Sequence, residues 1–153
     1  MIYLVRHAKA GSRHNFHGND LLRRLSPAGQ RQAQALAARF IPILAAAEVK
    51  TLISSPFLRC IETLRPTAKA IGARIETDEC LSEGRSFIDV LALLASLPDS
   101  AVVCSHGDVI PDTIAALDLD DDLERAAILG EGRALDVGAA LGVLAVHREP
   151  LAR

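Results

Sequence analysis

Three short apolar runs, Ile2-Tyr3-Leu4-Val5, Thr51-Leu52-Ile53 and Ala101-Val102-Val103, each break off in polar residues, with helical periodicity filling the stretches between them. Runs of this length suit strands, and strands that alternate with helices form a mostly parallel sheet with a helical layer on each face. The expected fold is α/β, a three-layer sandwich around a mostly parallel central sheet. Open sheets of this kind bind ligands at the carboxyl ends of their strands. At those ends stand Arg6-His7, Ser54-Ser55 and Ser105-His106-Gly107, with Arg59 shortly after the second. Three strand ends would thus deliver Arg6, His7, Arg59 and His106 to one rim.

The remaining elements follow from punctuation. Residues 9–24 are polar and without a period, a loop long enough to be functional. Ser26-Pro27 reads as an N-cap followed by proline at the first helical position, and Ala28, Ala33, Leu36, Ala37, Phe40 and Ile43-Leu44 recur at helical spacing after it. Pro42 is expected to kink or shorten the last turn of that helix. Ser55-Pro56 repeats the cap-and-proline pattern and opens a helix to about residue 71, bent at Pro66 and stopped by Gly72. Residues 73–77 read as a strand, 86–97 as an amphipathic helix, 101–105 as a strand and 109–117 as a helix. An acidic stretch, 118–124, reads as a turn and short helix, and 133–137 with 141–147 as a closing pair of strands joined through Gly138.

One domain, 1–153, accounts for the chain, since 153 residues with 50% apolar side chains support a core without staples. No apolar run approaches the roughly 20 residues a membrane helix needs, and Met1 leads into the first strand with no basic leader. A soluble, cytoplasmic chain with no membrane partner is expected. A net charge of −2 and 3% aromatic residues without tryptophan argue against a nucleic-acid polymer as partner, which calls for a basic excess and stacking surfaces. Cys60, Cys80 and Cys104, odd in number and at spacings unlike metal motifs, read as reduced core thiols.

The rim residues suit phosphoryl chemistry. An arginine in the first turn of a helix opposes the helix dipole, at roughly a few tenths of a kcal/mol, so Arg59 calls for an anion to which its guanidinium offers paired donors. A surface arginine paired with Glu62 or Asp78 is the plain alternative. His7, flanked by Arg6, can attack phosphorus as a neutral imidazole while neighbouring cations draw charge from the oxygens; a hydrogen-bonded core histidine is the competing reading. His106 ends another apolar strand, and Gly107 would let the backbone approach an anion closely. The leaving oxygen needs a proton, and Glu83, in Leu81-Ser82-Glu83-Gly84 after the third strand, is placed to supply it, with Asp108 as the next candidate. Lys9, Arg13, Arg23 and Arg24 read as a solvated basic rim, and Ser12 and Arg13 as the part of it nearest the substrate. His14 and His17 have only Asp20 near them, so no metal site is expected.

Four segments in order, Leu4-Val5-Arg6-His7-Ala8, residues 54–63 (Ser-Ser-Pro-Phe-Leu-Arg-Cys-Ile-Glu-Thr), Leu81-Ser82-Glu83 and Val103-Cys104-Ser105-His106-Gly107, together resemble the histidine phosphatase superfamily, phosphoglycerate-mutase-like in fold. The resemblance covers nearly the whole chain. It implies that His7 is the phosphorylated nucleophile, that Arg6, Arg59 and His106 hold the transferred phosphoryl group, and that Glu83 is proton donor and then base, with no cofactor. The family's Arg-His-Gly is Arg-His-Ala here, and the long helical insertions of larger members are absent, so a shallow pocket and hydrolysis are implied. Residues 24–29 and 55–59 are similar to the small SixA-type phosphohistidine phosphatases. Residues 6–13 and Val109-Ile110-Pro111-Asp112 are similar to the histidine phosphatase domain that some actinobacterial Nudix hydrolases carry at their carboxyl end. The implied activity is that of a metal-independent phosphatase acting on a phosphoprotein, such as a phosphohistidine protein, or on a small phosphorylated metabolite or nucleotide. A non-catalytic phosphate- or partner-binding module on the same fold is the alternative, and it would have no need to keep both nucleophile and acid.

Overall fold

The computed structural model describes residues 2–47 and 50–118, together with the backbone of two strands at 127–128 and 143–146. The elements are β1 (Ile2–Arg6), α1 (Pro27–Ala45), β2 (Leu52–Ser54), α2 (Leu58–Ile71), β3 (Ile75–Thr77), α3 (Phe87–Ser96), β4 (Val102–Ser105), α4 (Val109–Asp118), β5 (Ala127–Ile128) and β6 (Val143–Val146). Single 3-10 turns lie at Asp20–Leu22 and Glu79–Leu81. The sheet runs β3-β2-β4-β1-β6-β5. The first four of these strands pair in parallel, and β6 is antiparallel to both β1 and β5. This is the expected α/β sandwich.

Strand alternation sorts the two cores. Tyr3, Val5, Leu52, Val102 and Cys104 pack on Leu36, Phe40 and Leu44 of α1 and on Cys60, Leu64 and Ala68 of α2. Ile2, Leu4, Ile53 and Val103 point the other way, onto Val90 and Leu94 of α3 and Val109 and Leu117 of α4. Among the described residues no helix is long and apolar enough to cross a membrane.

The structure departs from the sequence reading at several boundaries. α2 begins at Leu58, not after Ser55, and its cap Phe57 makes no side-chain capping bond; the Ser55 hydroxyl is instead engaged with His106 at 2.8 Å. Pro42 and Pro66 lie inside their helices, which continue past them to Ala45 and Ile71. Gly72 stops α2 as expected, in the left-handed conformation with φ 66°. β3 is shorter than residues 73–77 suggested. The partners of β6 are β1 and the two-residue β5, and two residues are too few to leave a period in the sequence. The expected strand at 133–137 and the stretch 119–124 lie outside the described residues.

α1 also shapes the chain leaving β1. Its cap Ser26 accepts from Gly29 N at 3.1 Å, while the Ser26 backbone N–H and hydroxyl donate to the Lys9 carbonyl at 2.9 and 3.0 Å. A Cβ on Gly29 would lie 2.0 Å from that same carbonyl oxygen and 2.8 Å from its carbon. Backbone cannot yield as a flexible side chain can. Gly29→Ala should therefore destabilise the protein by about 3 kcal/mol, at the upper end for overpacking, measured as a lowered urea midpoint at constant m-value.

Candidate active site

β1 and β4 are parallel neighbours with Arg6 opposite Ser105, so the next residues, His7 and His106, come out side by side. His7 N donates to Ser105 O at 3.0 Å, and the two imidazoles meet edge to face with centroids 5.2 Å apart. Each is two residues beyond a side chain packed on the α1–α2 layer, Val5 and Cys104. Strand alternation carries both rings to that same side, where the first turn of α2 presents Arg59.

Arg59 is the most buried charge described, 1% exposed. Its Nη1 donates to the Asp20 carbonyl at 3.1 Å and to Asp20 Oδ2 at 3.0 Å, and its Nη2 to Glu83 Oε2 at 2.8 Å. The Phe57 ring lies under the cation, 4.6 Å from centroid to guanidinium carbon. The Arg59 Nε is buried and has no hydrogen-bond partner among the described residues. The surface-arginine alternative fails here. Glu62 is taken by Arg24 and by the Leu25 amide, and Asp78 caps the turn at 79–81.

His7 is half-buried, and its Nδ1 lies 2.7 Å from the Ala8 carbonyl. A carbonyl oxygen only accepts, so this nitrogen carries the proton and the lone pair is on Nε2. Burial pushes the pKa down to about 4 against that hydrogen bond, with His106, Arg59 and Arg6 adding to the depression. The ring is neutral at pH 7. His106 is 1% exposed, with Nε2 2.8 Å from Ser55 Oγ and Nδ1 3.5 Å from Arg59 Nη2. The exposed guanidinium of Arg6 lies over Gly107, where a Cβ would meet its Cζ and Nε at 2.7 Å. The absence of a side chain at Gly107 thus makes room for Arg6.

Glu83 reaches this cluster as the sequence suggested, but as a paired carboxylate. Both its oxygens accept from Arg13 Nη2 at 2.7 Å, and Oε2 also from Arg59. The hydrogen bond from Arg13 holds its pKa below the ordinary value, with Arg13, Arg59 and His106 charges adding to the effect against desolvation. Asp20 is likewise held down, first by its bond from Arg23. A cleft of about 520 Å³ opens beside the cluster, lined by residues that include Arg13, Phe16, Asp20, Phe57, Glu83 and Asp108.

The basic rim is less uniform than its composition suggests. Arg13 is exposed and lines the cleft, but Arg23 is 7% exposed, donating to Asp20 Oδ1 and to the Gly11 carbonyl at 2.7 Å each. Arg24 is spent on Glu62. Both arginines are structural because the loop must fold back on α2. Ser12 is exposed, accepts from Asn15 N at 3.4 Å, and is not brought into the cluster. His14 and His17 are exposed, and among the described residues no group of His, Cys, Asp or Glu could hold a metal ion. The three cysteines are free.

Asp20, Ser55 and Thr63 carried no functional reading in the sequence, and Arg23 was read only as part of the basic rim. Asp20 and Arg23 are three apart, a spacing that suits a local pair, yet nothing local points Asp20 at Arg59. Ser55 looked like a cap. Thr63, one turn after Arg59, accepts from the Ala8 amide at 2.9 Å and donates to the Arg59 carbonyl at 2.7 Å, fastening the chain beyond His7 to α2.

This constellation of two histidines and two arginines at the carboxyl edge of the sheet belongs to a recognisable class. Residues 2–89 match the histidine phosphatase superfamily (branch 1), and the chain belongs to that superfamily. It is 33% identical over 119 residues to an 8-oxo-(d)GTP phosphatase of Mycolicibacterium smegmatis, a match covering 74% of this chain and 36% of that protein. The chain thus matches only about a third of that relative's length. A SixA protein from Agrobacterium tumefaciens superposes with a TM-score of 0.65 at 24% identity, over 78% of this chain and 77% of that one. A SixA protein from Nakamurella multipartitia does so at 0.57 and 29% identity, over 75% and 64%.

The depressed pKa of His7 links the site to stability. The unfolded chain takes up this proton near pH 6.5 and the native protein only near 4, so between these values the unfolded state binds more protons and stability falls as pH falls. Urea unfolding from pH 7 to 4 should show this loss in wild type and a flatter profile in His7→Gln. An NMR titration should place the His7 midpoint near 4, and a midpoint near 6.5 would contradict the buried neutral ring.

Proposed function

We propose that this chain is a metal-independent phosphatase that works through a phosphohistidine formed on His7. The observation that carries this reading is the His7 imidazole, neutral and with Nδ1 tied to the Ala8 carbonyl, so that the Nε2 lone pair is free beside a buried arginine. Arg6, Arg59 and His106 hold the phosphoryl oxygens.

In the first step Nε2 attacks phosphorus, the bond to the leaving group breaks, and the leaving atom, an ester oxygen or the imidazole nitrogen of a phosphohistidine substrate, takes the proton of the Glu83 carboxyl. Water then attacks the phosphohistidine and gives its proton to Glu83, and the P–N bond breaks to release inorganic phosphate. Glu83 must be protonated for the first step, although Arg13 and Arg59 hold its pKa down and keep it ionised. An incoming phosphoryl dianion takes over the Arg59 donors and sits beside the carboxylate. Both changes raise the proton affinity of Glu83, so the substrate itself readies the acid.

The substrate is a phosphohistidine protein or a small phosphorylated metabolite or nucleotide. The cleft has the volume of a small-molecule site, and Phe16 and Phe57 give it apolar surface beside the charges of Arg13, Asp20 and Asp108. Similarity to an 8-oxo-(d)GTP phosphatase favours a nucleotide, and similarity to SixA proteins favours a phosphoprotein. Activity across phosphorylated metabolites, nucleotides and a phosphohistidine protein would choose among these.

Two experiments test the chemistry. Acid-free quenching during turnover should leave the phosphoryl group on His7 by mass spectrometry, and His7→Ala should be inactive; an adduct elsewhere would refute the mechanism. In single-turnover assays Glu83→Gln should slow phosphoryl transfer from an alkyl phosphate by roughly 10²-fold and from an activated aryl phosphate far less, whereas Arg59→Ala slows both. Equal losses for the two leaving groups would take the acid role from Glu83 and pass it to Asp108.

A further inference from the structure

We propose that Ser55 is a positioning residue that holds His106 in the neutral tautomer with its proton on Nδ1, the nitrogen beside Arg59. The argument is one of hydrogen-bond accounting. Ser55 is fully buried, and its Oγ accepts from the Phe57 amide at 3.3 Å. The hydroxyl hydrogen then needs an acceptor, and among the described residues the only one within reach is His106 Nε2 at 2.8 Å. A buried O–H left without an acceptor is costly. Nε2 therefore accepts, and the ring proton goes to the other nitrogen.

The groups facing His106 are Ser55, Phe57, Arg59 and Cys60 from the β2–α2 segment and His7 from the end of β1. Two of them compete with this assignment. Arg59 Nη2 could donate its second hydrogen to Nδ1, but only across 3.5 Å, a much longer contact than the 2.8 Å bond that its first makes to Glu83. Burial raises the pKa of Cys60, while Cys104, His106 and Arg59 draw it down to about 6. A Cys60 thiolate would call the ring proton to Nε2 across 3.5 Å, whereas a Cys60 thiol has the Ser105 carbonyl as acceptor at 3.8 Å and makes no such demand. The Ser55 hydroxyl has no other acceptor among the described residues, and this need decides for the proton on Nδ1.

The consequence rests on the phosphatase reading. With the proton on Nδ1, His106 and Arg59 Nη2 are two donors 3.5 Å apart, close enough for one phosphoryl oxygen to accept from both. The other tautomer would set a lone pair against that oxygen.

The test reads the tautomer itself, without turnover. In the full chain labelled with [15N]histidine, two-bond ¹⁵N–¹H correlation spectra at the neutral limit of His106, assigned by its loss in His106→Asn, should show Nδ1 protonated and Nε2 as acceptor. In Ser55→Ala the proton should shift to Nε2 or spread over both nitrogens, and single-turnover phosphoryl transfer to His7 should fall roughly tenfold, the scale of one lost hydrogen bond at a buried site. Wild-type His106 carrying its proton on Nε2, or on both nitrogens throughout, overturns the proposal. So does a Ser55→Ala protein that loses activity with the tautomer unchanged, which is what a merely structural serine would do. Failure to find phosphohistidine at His7 would instead sink the phosphatase reading, and the spectra would still decide the tautomer.

Discussion

A guanidinium with 1% exposure cannot stand without counter-charges, and the arrangement around Arg59 meets that demand from two directions. Asp20 comes from the loop after β1, Glu83 from the connection between β3 and α3, and both converge on the first turn of α2. One buried cation thereby ties three separate stretches of chain to the sheet edge where the histidines emerge. Asp20 is itself steadied by Arg23, which is anchored on the Gly11 carbonyl. Removing either carboxylate would leave a charge in a place with little solvent to replace it, so these pairs do more to fix geometry than their net energy suggests.

His7 is held mainly by backbone contacts. His7 continues the β1–β4 ladder, its ring is pinned by the Ala8 carbonyl, and the Ala8 amide is fixed by Thr63. Two residues on, the Lys9 carbonyl is gripped by Ser26 and closed in by Gly29. On the far side of the loop, buried Glu62 accepts from the Leu25 amide and from Arg24. The pairing of α1 and α2 under the sheet is therefore also the scaffold that aims the imidazole, and a change in helix packing would be felt at Nε2.

Electrostatically the site is cationic in a chain whose net charge is −2. Arg6, Arg13 and Arg59 gather at one edge, and Asp20 and Glu83 partly neutralise them in the absence of ligand. Two effects of opposite sign follow from this crowding. It favours an uncharged His7 and an ionised Glu83.

The sheet, its two helical layers and the meeting of His7 with His106 were legible because they depend on local pattern: apolar runs of strand length, helical spacing between them, and polar residues where the runs stop. Arg59 could be singled out because a cation in a first helical turn is locally unfavourable and asks for an explanation. The partners of these residues could not be read in the same way. Asp20 and Arg59 are 39 residues apart and Arg59 and Glu83 24, so no period or propensity links them. Ser55 has the composition of a cap but spends its hydroxyl on a histidine 51 residues away. Arg23 and Arg24 look like any solvated basic pair until the loop folds back against α2. The sequence by itself determined which chemistry-bearing side chains leave the sheet at its carboxyl edge, since strand length and alternation are local. Only the tertiary structure decided which of them are buried, paired or protonated, because those properties depend on the groups that other parts of the chain bring within hydrogen-bond distance.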